Sequence, residues 1–154
     1  MSDTIHMDLA HGQVAIELRP DLAPNHVARI KELTSEGFYD GVVFHRVIPG
    51  FMAQTGDPTG TGRGGSEKPN VAAEFSQETH VRGTVSMARS AAPDSANSQF
   101  FICFGDCPWL DGQYSVFGKV VSGMEHVDAI KKGSEDGNGE VSNPDSIKKM
   151  SLAE

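Results

Sequence analysis

The stretch FHRVIPGFMAQTGD, residues 44–57, reads as two short extended segments on either side of a sharp break at Pro49-Gly50. Most of it is apolar, yet it carries a guanidinium at Arg46 and an amide at Gln54. A strand presents alternate side chains to opposite faces. Phe44 and Arg46 therefore share one face, with His45 and Val47 on the other, and Met52 and Gln54 share a face after the break. SQFFICF, residues 98–104, adds Gln99 and Phe101 on one face, and CPWLDG, residues 107–112, adds Trp109 and Leu110 in a loop. Together these side chains make a surface groove of apolar groups, one cation and two amides. The alternative is an ordinary salt-bridged strand arginine, and periodicity alone does not decide between the two.

Working outward, Ile5, Met7 and Leu9 alternate with polar residues, as do Val14, Ile16 and Leu18 after His11-Gly12, which predicts a β-hairpin. At Pro24 the period changes. Val27, Ile30 and Leu33 recur at helical spacing, with Pro24 at the start and Gly37 past the end. Strands are expected over residues 41–47, 51–55, 83–88, 99–104, 114–121 and 147–152, and a second helix over residues 124–132. Two helices are too few to cover both faces of a parallel sheet. The pattern predicts a mainly β fold in one domain over residues 1–154, either a sandwich or a closed eight-stranded antiparallel β-barrel capped by two α-helices. Residues 57–82 and the acidic run GSEDGNGEVSNPD, residues 133–145, fit no element and are expected to be long loops.

The 154 residues carry a formal net charge of −8 and no run of Lys or Arg, so no nucleic-acid partner is expected. No apolar stretch reaches the ~18 residues of a transmembrane helix. The first residues show neither a basic nor an apolar leader region, and two cysteines, Cys103 and Cys107, make no disulfide framework. A cytoplasmic location is expected. Among the six histidines no pair has metal-ligand spacing, so neither a metal nor a cofactor is expected, and His45 is read as a buried, hydrogen-bonded core residue. GTGRGGS, residues 60–66, matches a dinucleotide fingerprint in letters only, because it follows Asp57-Pro58-Thr59 and precedes Pro69; it is read as a turning loop. Ser98 sits in no glycine elbow, and no nucleophile–base pair stands out.

FHRVIPGFMAQTGD, GTGRGGS, SQFFICF and WLDGQYSVFGKVVSGM, the last over residues 109–124, closely resemble the cyclophilin family of peptidyl-prolyl cis-trans isomerases. The likeness is densest over residues 41–124 and covers nearly the whole chain in order. It implies an eight-stranded antiparallel barrel closed by two helices. By motif it implies that Arg46 is catalytic, with Gln54 and Phe51 beside it. It further implies that Phe51, Met52, Phe101 and Leu110 hold a proline ring, while Gln99, Trp109, Tyr114, Ala88 and Gly62 of the glycine loop line the neighbouring groove. SMARSAAPDSANSQFF, residues 86–101, is one residue longer than the eukaryotic pattern and carries Arg89; Tyr114 replaces a frequent histidine. That replacement, with the short loop after Gly65, looks like the bacterial branch. The implied partners are proline-containing peptides, unfolded protein clients and, through the retained Trp109, a cyclosporin-type ligand. No membrane is implied and a monomer is expected. A non-catalytic proline-binding module on the same barrel is the rival reading. The joint presence of Arg46, Phe51, Gln54 and Phe101 argues against it.

Overall fold

The computed structural model describes residues 3–62, 64–133 and 139–153. Arg63 of the glycine loop and residues 134–138 of the acidic run lie outside the described residues. The hairpin forms from β1 (Thr4–Leu9) and β2 (Gly12–Leu18), with Met7 opposite Val14. Its alternation sends Ile5, Met7, Leu9, Val14, Ile16 and Leu18 inward. α1 (Pro24–Ser35) starts on proline, which needs no N–H there. It ends as Gly37 takes φ 74°, which lets the Phe38 N–H bond the Leu33 carbonyl at 3.0 Å.

The remaining strands are β3 (Arg46–Ile48), β4 (Met52–Thr55), β5 (Thr84–Met87), β6 (Phe100–Cys103), β7 (Val116–Ser122) and β8 (Lys149–Leu152), with α2 (Met124–Asp128) between the last two. They form one antiparallel sheet in the order β3-β4-β6-β5-β7-β2-β1-β8. The sheet is mainly β and eight-stranded as expected, but it is open: β3 and β8 are its two ends and do not pair. In place of a ladder, residues 41–47 meet residues 139–147 through isolated bridges, Val43 with Ser146 and Arg46 with Glu140. Single backbone bonds supplement them, such as Val47 N–H to Gly139 O at 2.8 Å and Ile147 N–H to Val42 O at 2.8 Å. The reason lies in the 139–147 segment. Pro144 has no N–H to offer, and Asn143 at φ 52° turns the chain away from an extended course.

Strand 41–47 is likewise shorter than expected and becomes β3 alone. As a result Phe44 does not share a face with Arg46; it joins Val47 in the main core. α2 stops at Asp128, although Ile130 beyond it is still buried. α1 packs on β7 and β8, and α2 on β2, so Val27, Ile30, Leu33 and Val127 join the strands in one apolar cluster.

β4 and β6 are covered on both faces. Ala53, Phe100 and Ile102 point into the main core, while Met52, Phe101 and Cys103 point outward into a second cluster with Cys107 and Leu110. That period-two split creates the site. The loop over residues 57–82 has no element, and side chains satisfy its backbone instead. Asn97 Oδ1 accepts the Ser66 N–H at 2.8 Å, Asp94 the Ala73 N–H at 2.8 Å, and Asp111 the His80 N–H at 2.7 Å.

His26, His45 and His80 are buried. Burial outweighs the pull of Glu74, Asp57 and Asp111 respectively and pushes all three imidazoles below their usual range. The unfolded chain takes up these protons near pH ~6.5. Between that pH and the lower folded values the unfolded state binds more protons, so stability falls as pH falls. Tm is expected to hold from pH 8 to 7 and to drop steadily from pH 6.5 to 5, before most carboxylates titrate; a flat Tm across that interval would contradict the neutral, buried state of these rings. His45 corrects one expectation, because among the described residues its buried Nδ1 has no hydrogen-bond partner.

Candidate active site

The register of the outer face sets the site. Arg46 on β3 lies opposite Gln54 on β4, Gln54 opposite Phe101 on β6, and Phe101 opposite Ser86 on β5. One row across four strands thus carries a cation, an amide, an aromatic ring and a hydroxyl. Arg46 Nη1 donates to Gln54 Oε1 at 3.2 Å, and Gln54 Nε2 donates to Gln99 Oε1 at 2.8 Å. Gln99 Nε2 in turn donates to the carbonyls of Gly62 and Gly64, each at 3.0 Å. The guanidinium is held at the end of a chain of amides anchored in the glycine loop. Partial burial pushes the Arg46 pKa below its usual range, against a smaller opposing effect of Tyr114.

Beside Arg46 is a notch of about 110 Å³ walled by Phe51, Met52, Gln54, Ala88, Arg89, Phe101, Leu110 and Tyr114. Eight sequence-derived candidates, Arg46, Phe51, Met52, Gln54, Ala88, Phe101, Leu110 and Tyr114, meet here. Gln99 and Gly62 line an adjoining cavity of about 440 Å³ instead. Trp109 is not part of the notch. Pro108–Leu110 forms a single 3-10 turn that sends Leu110 inward and leaves Trp109 61% exposed, its ring 5.5 Å from Phe51.

Sequence reasoning missed the support beneath the floor of the notch, which Phe101 forms. Phe101 stacks on His80, with centroids 6.1 Å apart and planes at 17°, and meets Tyr114 edge-on at 5.6 Å. His80 Nδ1 lies 3.0 Å from Asp111 Oδ1, so it carries the proton, and Nε2 accepts from Ser86 Oγ at 3.0 Å. The order Ser–His–Asp is that of a hydrolase, but Ser86 is fully buried under Phe101. Its hydroxyl is an anchor for the ring stack and presents no nucleophile. Only Asp111, within W-L-D-G, had any sequence signal; His80 comes from the long loop, 31 residues away.

The glycine loop folds around its own anion. The Asp57 carboxylate accepts the N–H groups of Thr59 at 2.8 Å, Thr61 at 3.0 Å and Gly62 at 2.6 Å, and the Thr59 hydroxyl at 2.7 Å. Burial pushes this carboxyl up, but these donors and the Gly64 N–H outweigh it and hold it well below the usual carboxylate range. The N–H groups of Thr59, Thr61, Gly62 and Gly64 are thus spent on Asp57 and not offered to a phosphate.

The profile of the family described as cyclophilin type peptidyl-prolyl cis-trans isomerase/CLD matches residues 4–152. A Brucella suis protein named probable peptidyl-prolyl cis-trans isomerase is 60% identical over 161 residues, covering 97% of this chain and 82% of its own. A Mus musculus protein named peptidyl-prolyl cis-trans isomerase-like 3 is 46% identical, with 86% and 83% covered. Among solved structures, a Cryptosporidium parvum cyclophilin crystallised in the presence of the dipeptide Ala-Pro superposes with a TM-score of 0.90 at 29% identity, covering 98% of this chain and 99% of that one. The Hirschia baltica cyclophilin AquaCyp293 gives 0.87 at 27% identity, over 98% of this chain and 74% of that one.

Proposed function

This chain belongs to the cyclophilin-type peptidyl-prolyl cis-trans isomerases, and we propose that within it Arg46 is the donor that lowers the rotational barrier while the notch grips the proline ring. It is an isomerase of Xaa-Pro peptide bonds, and assistance to protein folding is the general role of its family.

A peptide bond resists rotation by ~18–20 kcal/mol because of its partial double-bond character, and an Xaa-Pro bond left alone exchanges over roughly tens to hundreds of seconds. Twisting removes the conjugation and leaves a lone pair on the prolyl nitrogen. A cation aimed at that nitrogen gains only in the twisted state, which is the condition for catalysis. A turnover of about 10³ s⁻¹ corresponds to a barrier near 13 kcal/mol, so roughly 6 kcal/mol must be supplied. The supporting observation is Arg46 held 3.2 Å from Gln54 on the rim of an apolar notch, half-buried where its field is less screened. Gln54 acts as a positioning residue for Arg46. Its oxygen orients Arg46 and its nitrogen already serves Gln99, so it fixes the cation first. The chemistry needs no covalent step. The test is exchange of an Ala-Pro-containing peptide, followed by NMR line shapes or a coupled protease: catalysed exchange is expected, and its absence with folded protein would refute the assignment.

Two narrower readings belong with this one. Trp109 stands exposed beside Phe51 with no hydrogen bond among the described residues, which supports a cyclosporin-type ligand lying across both rings. Isothermal titration should show saturable heat that Trp109→Ala abolishes; no heat with the native chain would remove the reading. Cytoplasmic residence is supported by Cys103 and Cys107 standing as free thiols.

A further inference from the structure

The cavity beside the notch is the larger of the two, about 440 Å³, and borders it at Gln54, Ala88 and Arg89. Gly62, Gly65, Ser66, Ser90 and Ser95 line it, so its walls are short and polar and admit a sizeable side chain. Arg89 stands where the two spaces meet. Its Nε and Nη2 donate to the Gln113 carbonyl at 3.0 and 2.8 Å, and Nη1 donates to the Ser90 carbonyl at 3.0 Å and that of Ala91 at 3.4 Å. The guanidinium carbon lies 4.8 Å from the centroid of the Tyr114 ring and 5.8 Å from that of Phe75.

All of these partners are carbonyls or rings, and none removes the charge. Arg19, Arg29 and Arg82 each have a carboxylate within 4 Å, Asp21, Glu32 and Asp128 respectively, whereas Arg89 has no carboxylate partner among the described residues. The mount is also stiff. Four hydrogen bonds and two aromatic faces fix the fork before any ligand arrives, so recruiting an anion costs little side-chain entropy. One Nη2 proton has no acceptor among the described residues.

We propose that Arg89 selects client segments bearing an acidic side chain, Glu or Asp, within a few residues of the proline, with that side chain seated in the larger cavity. The inference rests on the isomerase reading of the adjoining notch. The chain's formal charge of −8 sharpens it. Its long-range field repels acidic peptides, so a preference for them must come from a local cation.

The test uses a series of Xaa-Pro peptides with Glu, Gln or Lys placed in turn at three positions before the proline and two after it. kcat/KM is read by exchange NMR, and the Glu-to-Lys ratio is taken within each protein variant, so any change in fold or basal rate cancels. At one or two positions on one side of the proline the native chain should favour Glu about ten-fold, the scale of one charge-assisted hydrogen bond. The ratio should fall toward unity in Arg89→Gln, recover in part in Arg89→Lys and invert in Arg89→Glu. Raising the salt concentration of the native protein should compress it without any mutation. A native ratio near unity at every position, or one that persists in Arg89→Gln, overturns the proposal while leaving the isomerase intact. No exchange with any peptide overturns the isomerase reading and this inference with it.

Discussion

Replacing Arg46 with alanine is expected to lower kcat/KM by about two to three powers of ten, the loss seen when one preorganised transition-state donor is removed. The fall should lie mainly in kcat. The guanidinium contributes little to a planar ground state, whose prolyl nitrogen has no lone pair to accept from it, and the notch that binds the ring stays in place. Arg46→Lys is the informative companion. A lysine restores the charge but not the planar fork that bonds Gln54 while facing the substrate, so only part of the rate should return. A folded Arg46→Ala protein with a near-native rate would end the assignment.

The second large effect falls on binding. Phe101→Ala removes the ring that forms the floor of the notch and unstacks His80 below it. Deleting a buried phenyl costs about 3–5 kcal/mol of stability. On the ligand side, the proline ring loses apolar contact worth about 1.5–3 kcal/mol, so KM should rise by roughly ten- to a hundred-fold. Phe101→Leu should recover more stability than affinity, because it refills volume without restoring a flat wall. Unchanged affinity for a proline peptide in a folded Phe101→Ala protein would count against the notch.

The candidate site was more legible in the sequence than the closure of the fold. Period two correctly put Met52 with Gln54, because β4 is regular and packed on both faces, whereas Gln99 precedes β6 and lines the adjoining cavity while Phe101 walls the notch. The same rule misplaced Phe44, since residues 44 and 45 precede β3 and take no regular strand conformation, and Phe44 packs in the main core. Closure of the barrel was inferred from strand number and edge avoidance. The open flank left no sign in the sequence, because the segment facing β3 is irregular, interrupted by Pro144, and contact through single bridges leaves no periodic trace. Trp109 was placed with Leu110 because they are adjacent; one 3-10 turn sends them in different directions. His80 was invisible because its meaning comes from Asp111 and Ser86, and neither contact has a characteristic spacing.

The open flank of the sheet has a bearing on how activity is lost. Arg46 sits on the outermost strand, with a regular ladder to β4 on one side and a few scattered bonds on the other. Parting those bonds would let the Arg46 guanidinium drift while the hairpin, α1 and the deep core stay folded, and such a partial opening lies well below the free energy of global unfolding. Heat inactivation is therefore expected to precede structural melting, and activity lost at the same temperature as the far-UV signal would contradict this.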